Sequence, residues 1–414
     1  MHKLTAKTIY FAYCLFTSLL FWMTFTADSV YYVSVVRLDA LQLVLVGTTL
    51  ESTVFLFEIP TGIVADLYSR RLSIITGIFL IGVGFVLQAL LPHFWAVLLA
   101  QLLWGAGWTF TSGALAAWLS DEIGEKNANR DFLRGAQFVQ AGAILGALTA
   151  MALGSLQVNL PMITAGAGFL LLGSLLAVLM PEANFHPSKP EALHSWKAMG
   201  STFRSGLAVV SRRPVLKTIL WVGILFGFYS EVFDRLWVAH LMNDIGFPAG
   251  ISLSPVAWIG AINLIGMALT AAGLGILRQR VDTSRGGSIA KAMLGLTGLL
   301  VICLGGFALV YSPWLSIPLL WMIRLTRDMN GTLYTTWVNQ RLNARVRATV
   351  LSMSNQVDAV GQIAGGPLLG AIGSMLSIRA ALLASSLTLS PALALLDRGW
   401  SQEKAAAQAG QSQP

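Results

Sequence analysis

Residues 62–71 read GIVADLYSRR, joining an apolar run near 41–64 to another near 72–91. Each run is long enough to cross a bilayer, since about 20 apolar residues span roughly 30 Å of hydrocarbon. The short link between them carries Asp66, Arg70 and Arg71, so it belongs at a membrane face. Gly62 is expected to let helices approach closely, Asp66 to sit at the inner face, and Arg70 with Arg71 to open the next helix.

Working outward from this loop, apolar runs recur near 8–31, 94–118, 133–155 and 160–180, then near 215–238, 254–277, 289–311, 313–338, 348–372 and 376–396. With the two around the loop they make twelve. The composition agrees, because 55% of the 414 residues are hydrophobic and 11% charged, against roughly 25% charged in soluble domains. Too little polar surface exists to wet a soluble globule, so a soluble enzyme is excluded. Disorder is excluded as well, because so much apolar surface has to be buried. Cys14 and Cys303 lie far apart inside apolar runs and suggest helix packing, neither a disulfide nor a metal site. The polar start Met1 to Lys7, followed by an over-long apolar run without a small-residue cleavage site, predicts no cleavable leader.

Placing the N-terminus inside collects Lys3, Lys7, Arg70, Arg71, Lys126, Arg130, Arg134, the cations of the central segment, Arg278, Arg280, Arg285, Lys291, Arg341, Arg345, Arg347, Arg398 and Lys404 on one side. Arg37, Arg235 and Arg379 are left on the other. Positive charge in short loops faces the cytoplasm, which predicts both termini there in the inner (plasma) membrane, and an even number of spans. The net charge of +8 is therefore read as topogenic, with no nucleic-acid partner expected. Residues 182–213, basic and rich in Pro and Ser, divide a six-span half at 1–181 from a second at 214–397, leaving 398–414 as a cytoplasmic tail. In that central segment Leu193, Trp196, Met199, Phe203, Leu207 and Val210 recur at helical spacing, as in a helix lying on the inner leaflet. The halves resemble each other weakly: RGAQFVQAGAILGAL opens the fifth span and RATVLSMSNQVDAVGQIAGGPLLG the eleventh.

The loop GIVADLYSRR resembles the Gly-x-x-x-Asp-x-x-x-Arg-Arg signature of the major facilitator superfamily, and the twelve-span topology resembles that family over essentially the whole chain. The resemblance implies an all-α integral membrane fold of two pseudo-symmetric six-helix halves, working by alternating access around a midplane site. It also implies a cytoplasmic gate of Gly62, Asp66, Arg70, Arg71 and Glu58, with Asp66 meeting the start of the eleventh helix near Arg345 or Arg347. Two positions depart from the pattern: Ser69 replaces a usual Gly and Leu67 a common basic residue, which points to a weaker or differently paired latch. FLFEIPTGIVADLYSRR, LLWGAGWTFTSGALAAWLSDE and RATVLSMSNQ look like the bacterial macrolide and tetracycline efflux branch. Against that branch, Gly142 and Gly146 of the fifth span lack the accompanying proline, although Gly365, Gly366 and Pro367 occur in the eleventh.

Ionisable groups inside spans are costly and mark ion or solute paths by default. Glu51 and Glu58 lie in the second span, Arg324, Arg327 and Asp328 in the tenth, and Asp358 in the eleventh. In the resembled fold the first, fourth, seventh and tenth helices line the cavity, which implies that Arg324 and Asp328 face it and that Glu51, Glu58 and Asp358 stand near the rocking seam. A proton-coupled carrier needs an acid that titrates at working pH, and Glu51, Asp358 and Asp328 are the candidates. Permanent ion pairing is the alternative for each. Arg324 and Asp328, four residues apart, can neutralise each other, which leaves Arg327 without a partner on its own helix, as a cation for an anionic group or to keep a nearby acid ionised. Asp234 and Arg235 read as a solvated helix end.

Rings are dense on the cavity helices, and Phe25, Trp104, Trp108, Tyr229 and Trp321 are the candidate wall for a lipophilic solute. Trp118, Trp237, Trp314 and Trp337, at span ends, are assigned to the interfacial belt. The expected function is secondary transport of a small molecule, with proton-coupled export of lipophilic drugs or antibiotics leading. Proton symport or uptake of a small metabolite, or a scaffold or receptor that does not transport, are the alternatives. No ATP-binding loop is present, and no cofactor, metal or obligate second subunit is expected.

Overall fold

The computed structural model describes residues 5–187, 214–284, 286–340 and 344–411. The surface helix expected between Leu193 and Val210 lies outside the described residues. Every regular element among those described is helical. Pieces that continue one another are numbered here as one helix.

The helices of the first half are α1 (Ala6–Tyr31, closing in a π turn Tyr32–Val36), α2 (Ala40–Leu67), α3 (Arg70–Leu90), α4 (Phe94–Ser112, continued by Ala114–Ile123), α5 (Glu125–Leu156) and α6 (Leu160–Leu179). Those of the second are α7 (Pro214–His240, closing in a π turn Leu241–Ile245), α8 (Pro255–Arg280), α9 (Gly286–Leu309), α10 (Pro313–Gln340), α11 (Ala344–Met375) and α12 (Ile378–Leu389, continued by Pro391–Gln411). Ten of the twelve are long and apolar enough to cross a membrane. The other two, α10 and α11, are as long but carry Arg324, Arg327, Asp328 and Asp358. An all-helical membrane protein follows from the solvent, because a spanning segment in lipid must satisfy its backbone internally.

Local chemistry sets the breaks. Asp39 and Gln42 form a reciprocal capping box at the start of α2. The Ser69 hydroxyl accepts from the Leu72 amide and starts α3, and Ser377 does the same for α12. Gly124 takes a φ of 79°, which separates α4 from α5.

The chain forms two compact units, one of Met1–Leu193 with Gly250–Leu264 and the other of His194–Ala249 with Ile265–Pro414. In the first, α1 packs on α5, and α3 on α4 and α6. In the second, α7 packs on α11, and α9 on α10 and α12. The same pairings thus recur six helices apart.

Close approach at two of these pairings depends on glycine. A Cβ on Gly142 of α5 would strike the Leu15 carbonyl of α1 and come within 2.9 Å of Ser18 Cβ, and Gly146 stands in the same relation to Leu19 one turn on. On α11, a Cβ at Gly361 would lie 2.5 Å from the Ile224 carbonyl oxygen of α7, and one at Gly365 would meet that of Phe228. Small residues four apart let helix backbones touch, which is how membrane helices gain packing energy without a hydrophobic drive. Gly62 differs: no atom among the described residues comes within 4 Å of where its Cβ would stand, so close packing is not its role here. We expect Gly361→Val to cost about 1–3 kcal/mol and to lower the unfolding midpoint of the purified protein, while Gly62→Ala leaves it unchanged. A thermal melt followed by tryptophan fluorescence checks both.

Three of the four tryptophans assigned to the interface are core residues. Trp118 is buried and its Nε1 donates to the Pro181 carbonyl at 2.7 Å. Trp337 is buried and donates to Glu403 Oε1 at 3.3 Å, while Trp237 is buried beneath Arg324. Trp314 alone of the four is largely exposed. The ring nitrogens of Trp118 and Trp337 thus donate to protein acceptors. Within the segment read as a tail, the helix runs on to Gln411 and Glu403 is buried against Trp337 and Gly286.

Candidate functional site

The loop at 62–71 is tied down inside the first unit. Arg70 forms an ion pair with Asp121 of α4, and its Nη2 lies 3.8 Å from Asp66 Oδ1. Ser69 Oγ donates to Glu182 Oε2 at 2.6 Å, and the Arg71 amide donates to Glu182 Oε1 at 2.9 Å. The Arg71 guanidinium caps the end of α6 at the Ala177 carbonyl. Ser69 therefore serves as a helix cap and as a tether to Glu182, a different pairing in place of the usual glycine. Asp121 and Glu182 were not singled out in the sequence, because their partners come from another helix. Asp66 is about half exposed and Glu58 is exposed. Arg345 and Arg347 fall on α11 where side chains lie outside the described residues.

The aromatic candidates of the first unit do come together. Phe21 and Phe25 stack on α1 with centroids 5.4 Å apart, and Trp104 lies 6.0 Å from Phe21 and 5.9 Å from Phe25. Trp108 meets the edge of Phe21 at 5.8 Å. Phe85 and Phe169 back the cluster from the core. Trp108 stays 44% exposed and Phe25 39%, so the cluster offers a ring surface. A buried polar chain sets its depth: Trp104 Nε1 donates to Gln101 Oε1 at 2.7 Å, Gln101 Nε2 donates to Gln88 Oε1 at 3.3 Å, and the Tyr32 hydroxyl donates to Gln88 Oε1 at 2.8 Å. Glu51 lies half buried on α2.

In the second unit, α7, α8, α10 and α11 surround a cavity of about 490 Å³. Tyr229 and Ser230 line it from α7, Thr270 from α8, Arg327, Asp328 and Thr332 from α10, and Asp358 and Gln362 from α11. Its wall mixes these polar and ionisable groups with Phe226, Leu274 and Gly331. A smaller cavity of about 210 Å³, lined by Asn330, Tyr334 and Ser354 among others, shares Phe226, Gly331 and Asp358 with the first. Asp358 stands at their junction. The α7–α11 glycines bring it there, since Gly227 leaves room for the Asp358 backbone.

The charges pair both across helices and along them. Arg327 grips Asp234 of α7 with both nitrogens, Nη2 to Oδ2 at 2.6 Å. Asp234 is therefore no solvated helix end, and Arg327 is no isolated cation. Arg235 Nε donates to Glu231 Oε1 at 3.0 Å, with the Glu231 side chain 2% exposed. Asp328 accepts from Thr270 Oγ1 at 2.9 Å, and Asp358 from Gln362 Nε2 at 2.8 Å. Arg324 stacks over the Trp237 ring at 4.6 Å and, with Trp321, lies beside Gly266 of α8. Of the candidates in this half, Tyr229, Asp328 and Asp358 line the cavity together, while Arg324 and Trp321 stand outside its lining.

Residues 8–366 match the family described as Major Facilitator Superfamily. An uncharacterized MFS-type transporter of Bacillus subtilis (strain 168), YxaM, is 22% identical over 346 residues, 83% of each chain. The solved nucleoside transporter NupG superposes with a TM-score of 0.74 at 15% identity, covering 96% of this chain and 99% of that one. The peptide transporter POT in complex with sulfate superposes with a TM-score of 0.70 at 15% identity, covering 95% and 94%.

Proposed function

From the premise that this chain belongs to the major facilitator superfamily, and is a multi-pass membrane transporter of that type, we propose that it carries a small amphipathic organic solute coupled to proton movement, with Asp358 as the titrating acid. The position of Asp358 carries this reading. It lines both cavities of the second unit and is held by the neutral amide of Gln362. Asp234 and Glu231, in contrast, are each bound to an arginine. An acid held by an amide changes its charge without stranding a guanidinium, whereas protonating an ion-paired acid strands its partner.

The polar cavity favours a solute with several hydrogen-bonding groups. Similar folds in nucleoside and peptide transporters are consistent with such a solute. The chain ends lie on the cytoplasmic face in this proposal, as the basic loops require, and one chain suffices. A second reading, export of lipophilic drugs or antibiotics, is favoured by the exposed rings of Phe25 and Trp108.

The test uses liposomes holding the purified protein, with an internal pH dye, an imposed gradient, and a panel of nucleosides, short peptides, organic amines, sugars and lipophilic antibiotics. Proton movement triggered by polar amphipathic members is expected. Movement triggered by lipophilic antibiotics alone would transfer the assignment to export, and movement triggered by no member would overturn proton coupling.

A further inference from the structure

We propose, building on the transporter reading, that the 490 Å³ cavity of the second unit is a site for an organic amine, bound as its cation, that also carries an oxygen acceptor. The volume lies within the range of small-molecule sites. Its charge is uneven. At this depth the unit holds four carboxylates, on Glu231, Asp234, Asp328 and Asp358, and three guanidinium groups, on Arg235, Arg324 and Arg327. Glu231 takes Arg235, and Asp234 takes Arg327 in a two-point grip. Arg324 lies over Trp237, outside the cavity lining, while Asp328 and Asp358 both belong to that lining. The cation that reaches the cavity is thus already committed, and two carboxylates remain on the wall. Thr270 and Gln362 each donate one hydrogen bond to them, which leaves acceptor capacity on both, since a carboxylate accepts up to about four.

Tyr229 supplies the second observation. It is wholly buried and lines the cavity, and its hydroxyl has no hydrogen-bond partner among the described residues. Buried donors are almost always satisfied, so a phenol on a cavity wall with no acceptor marks where a ligand oxygen fits. Phe226, whose ring meets Tyr229 at 5.8 Å, gives the apolar part of the solute a surface. An ammonium donates to the carboxylates, a hydroxyl or carbonyl accepts from Tyr229, and an anion is repelled.

The experiment measures binding to the full-length protein in nanodiscs, by thermal stabilisation and equilibrium dialysis, without a proton gradient. The probes share one skeleton: 2-amino-1-phenylethanol, the neutral 1-phenyl-1,2-ethanediol, and anionic mandelate. The amine is expected to bind about tenfold more tightly than the diol, and mandelate more weakly than either. Asp328→Asn should erase the preference for the amine, and an unchanged melting temperature without ligand reports that the variant is folded. Tyr229→Phe should weaken amine and diol alike by several-fold. Equal binding of all three, tighter binding of mandelate, no binding of any, or an undiminished amine preference in Asp328→Asn would overturn the proposal. The coupling reading fails separately, because amine binding without proton flux in liposomes removes coupling and keeps the site, whereas flux indifferent to solute charge does the reverse.

Discussion

Asp358→Asn is expected to abolish proton-driven solute accumulation, reducing it by about a hundredfold or more, while exchange of labelled for unlabelled solute across vesicles without a gradient persists, weakened by no more than about tenfold because Asp328 still faces the solute. Asn has nearly the shape of the protonated acid and keeps an oxygen for Gln362 Nε2, which donates to Asp358 at 2.8 Å. The site thus retains its form and loses its titrating group. Exchange tests solute binding and the rocking movement, and the internal pH dye tests coupling, so the two readings separate. The dependence of exchange on pH should also flatten. Native proton flux in Asp358→Asn would remove this residue from the coupling role and pass the assignment to Glu51, whose test is Glu51→Gln. Loss of both activities would make Asp358 a packing residue at the α7–α11 crossing.

Arg327→Gln is expected to lower stability by about 1–3 kcal/mol, less than the 3–5 typical of a fully buried pair, because its side chain is 31% exposed and that of Asp234 40%. The loss comes from leaving Asp234 charged and part-buried without its two-point partner. Asp234→Asn made in the same protein should therefore recover much of it, giving a coupling energy in a double-mutant cycle. Lys at 327 should rescue poorly, since an ammonium cannot grip both carboxylate oxygens in one plane. Thermal unfolding of the four purified variants gives the cycle. Strictly additive losses would mean that the pair contributes geometry and no stability.

The candidates that held together and those that did not share one cause. Phe25, Trp104 and Trp108 are placed by spacing along helices, and the structure brings them into one ring cluster with Phe21. Arg324 and Asp328 suggested a pair within one helix because periodicity shows only i,i+4 neighbours. The arginine that pairs is Arg327, and its partner Asp234 lies 93 residues away. Asp121, Glu182, Gln88 and Gln101 escaped notice for the same reason. Each is an ordinary polar residue until Arg70, Ser69, Tyr32 or, for Gln101, Gln88 arrives from another segment.

The sequence by itself determined the all-helical membrane architecture and placed the break at Ser69 between α2 and α3. Lipid imposes that result, since it demands some twenty apolar residues per crossing and internal satisfaction of every backbone group, and both conditions are written along the chain. Only the tertiary structure decided which glycines are contacts: a Cβ at Gly361 meets the backbone of α7, and one at Gly62 meets nothing. It also decided which carboxylate is held by a guanidinium and which lines a cavity, separating Asp234 from Asp358. The energy of a charge in a membrane depends on groups within a few ångströms, and those groups are set by helix packing, which no single segment encodes.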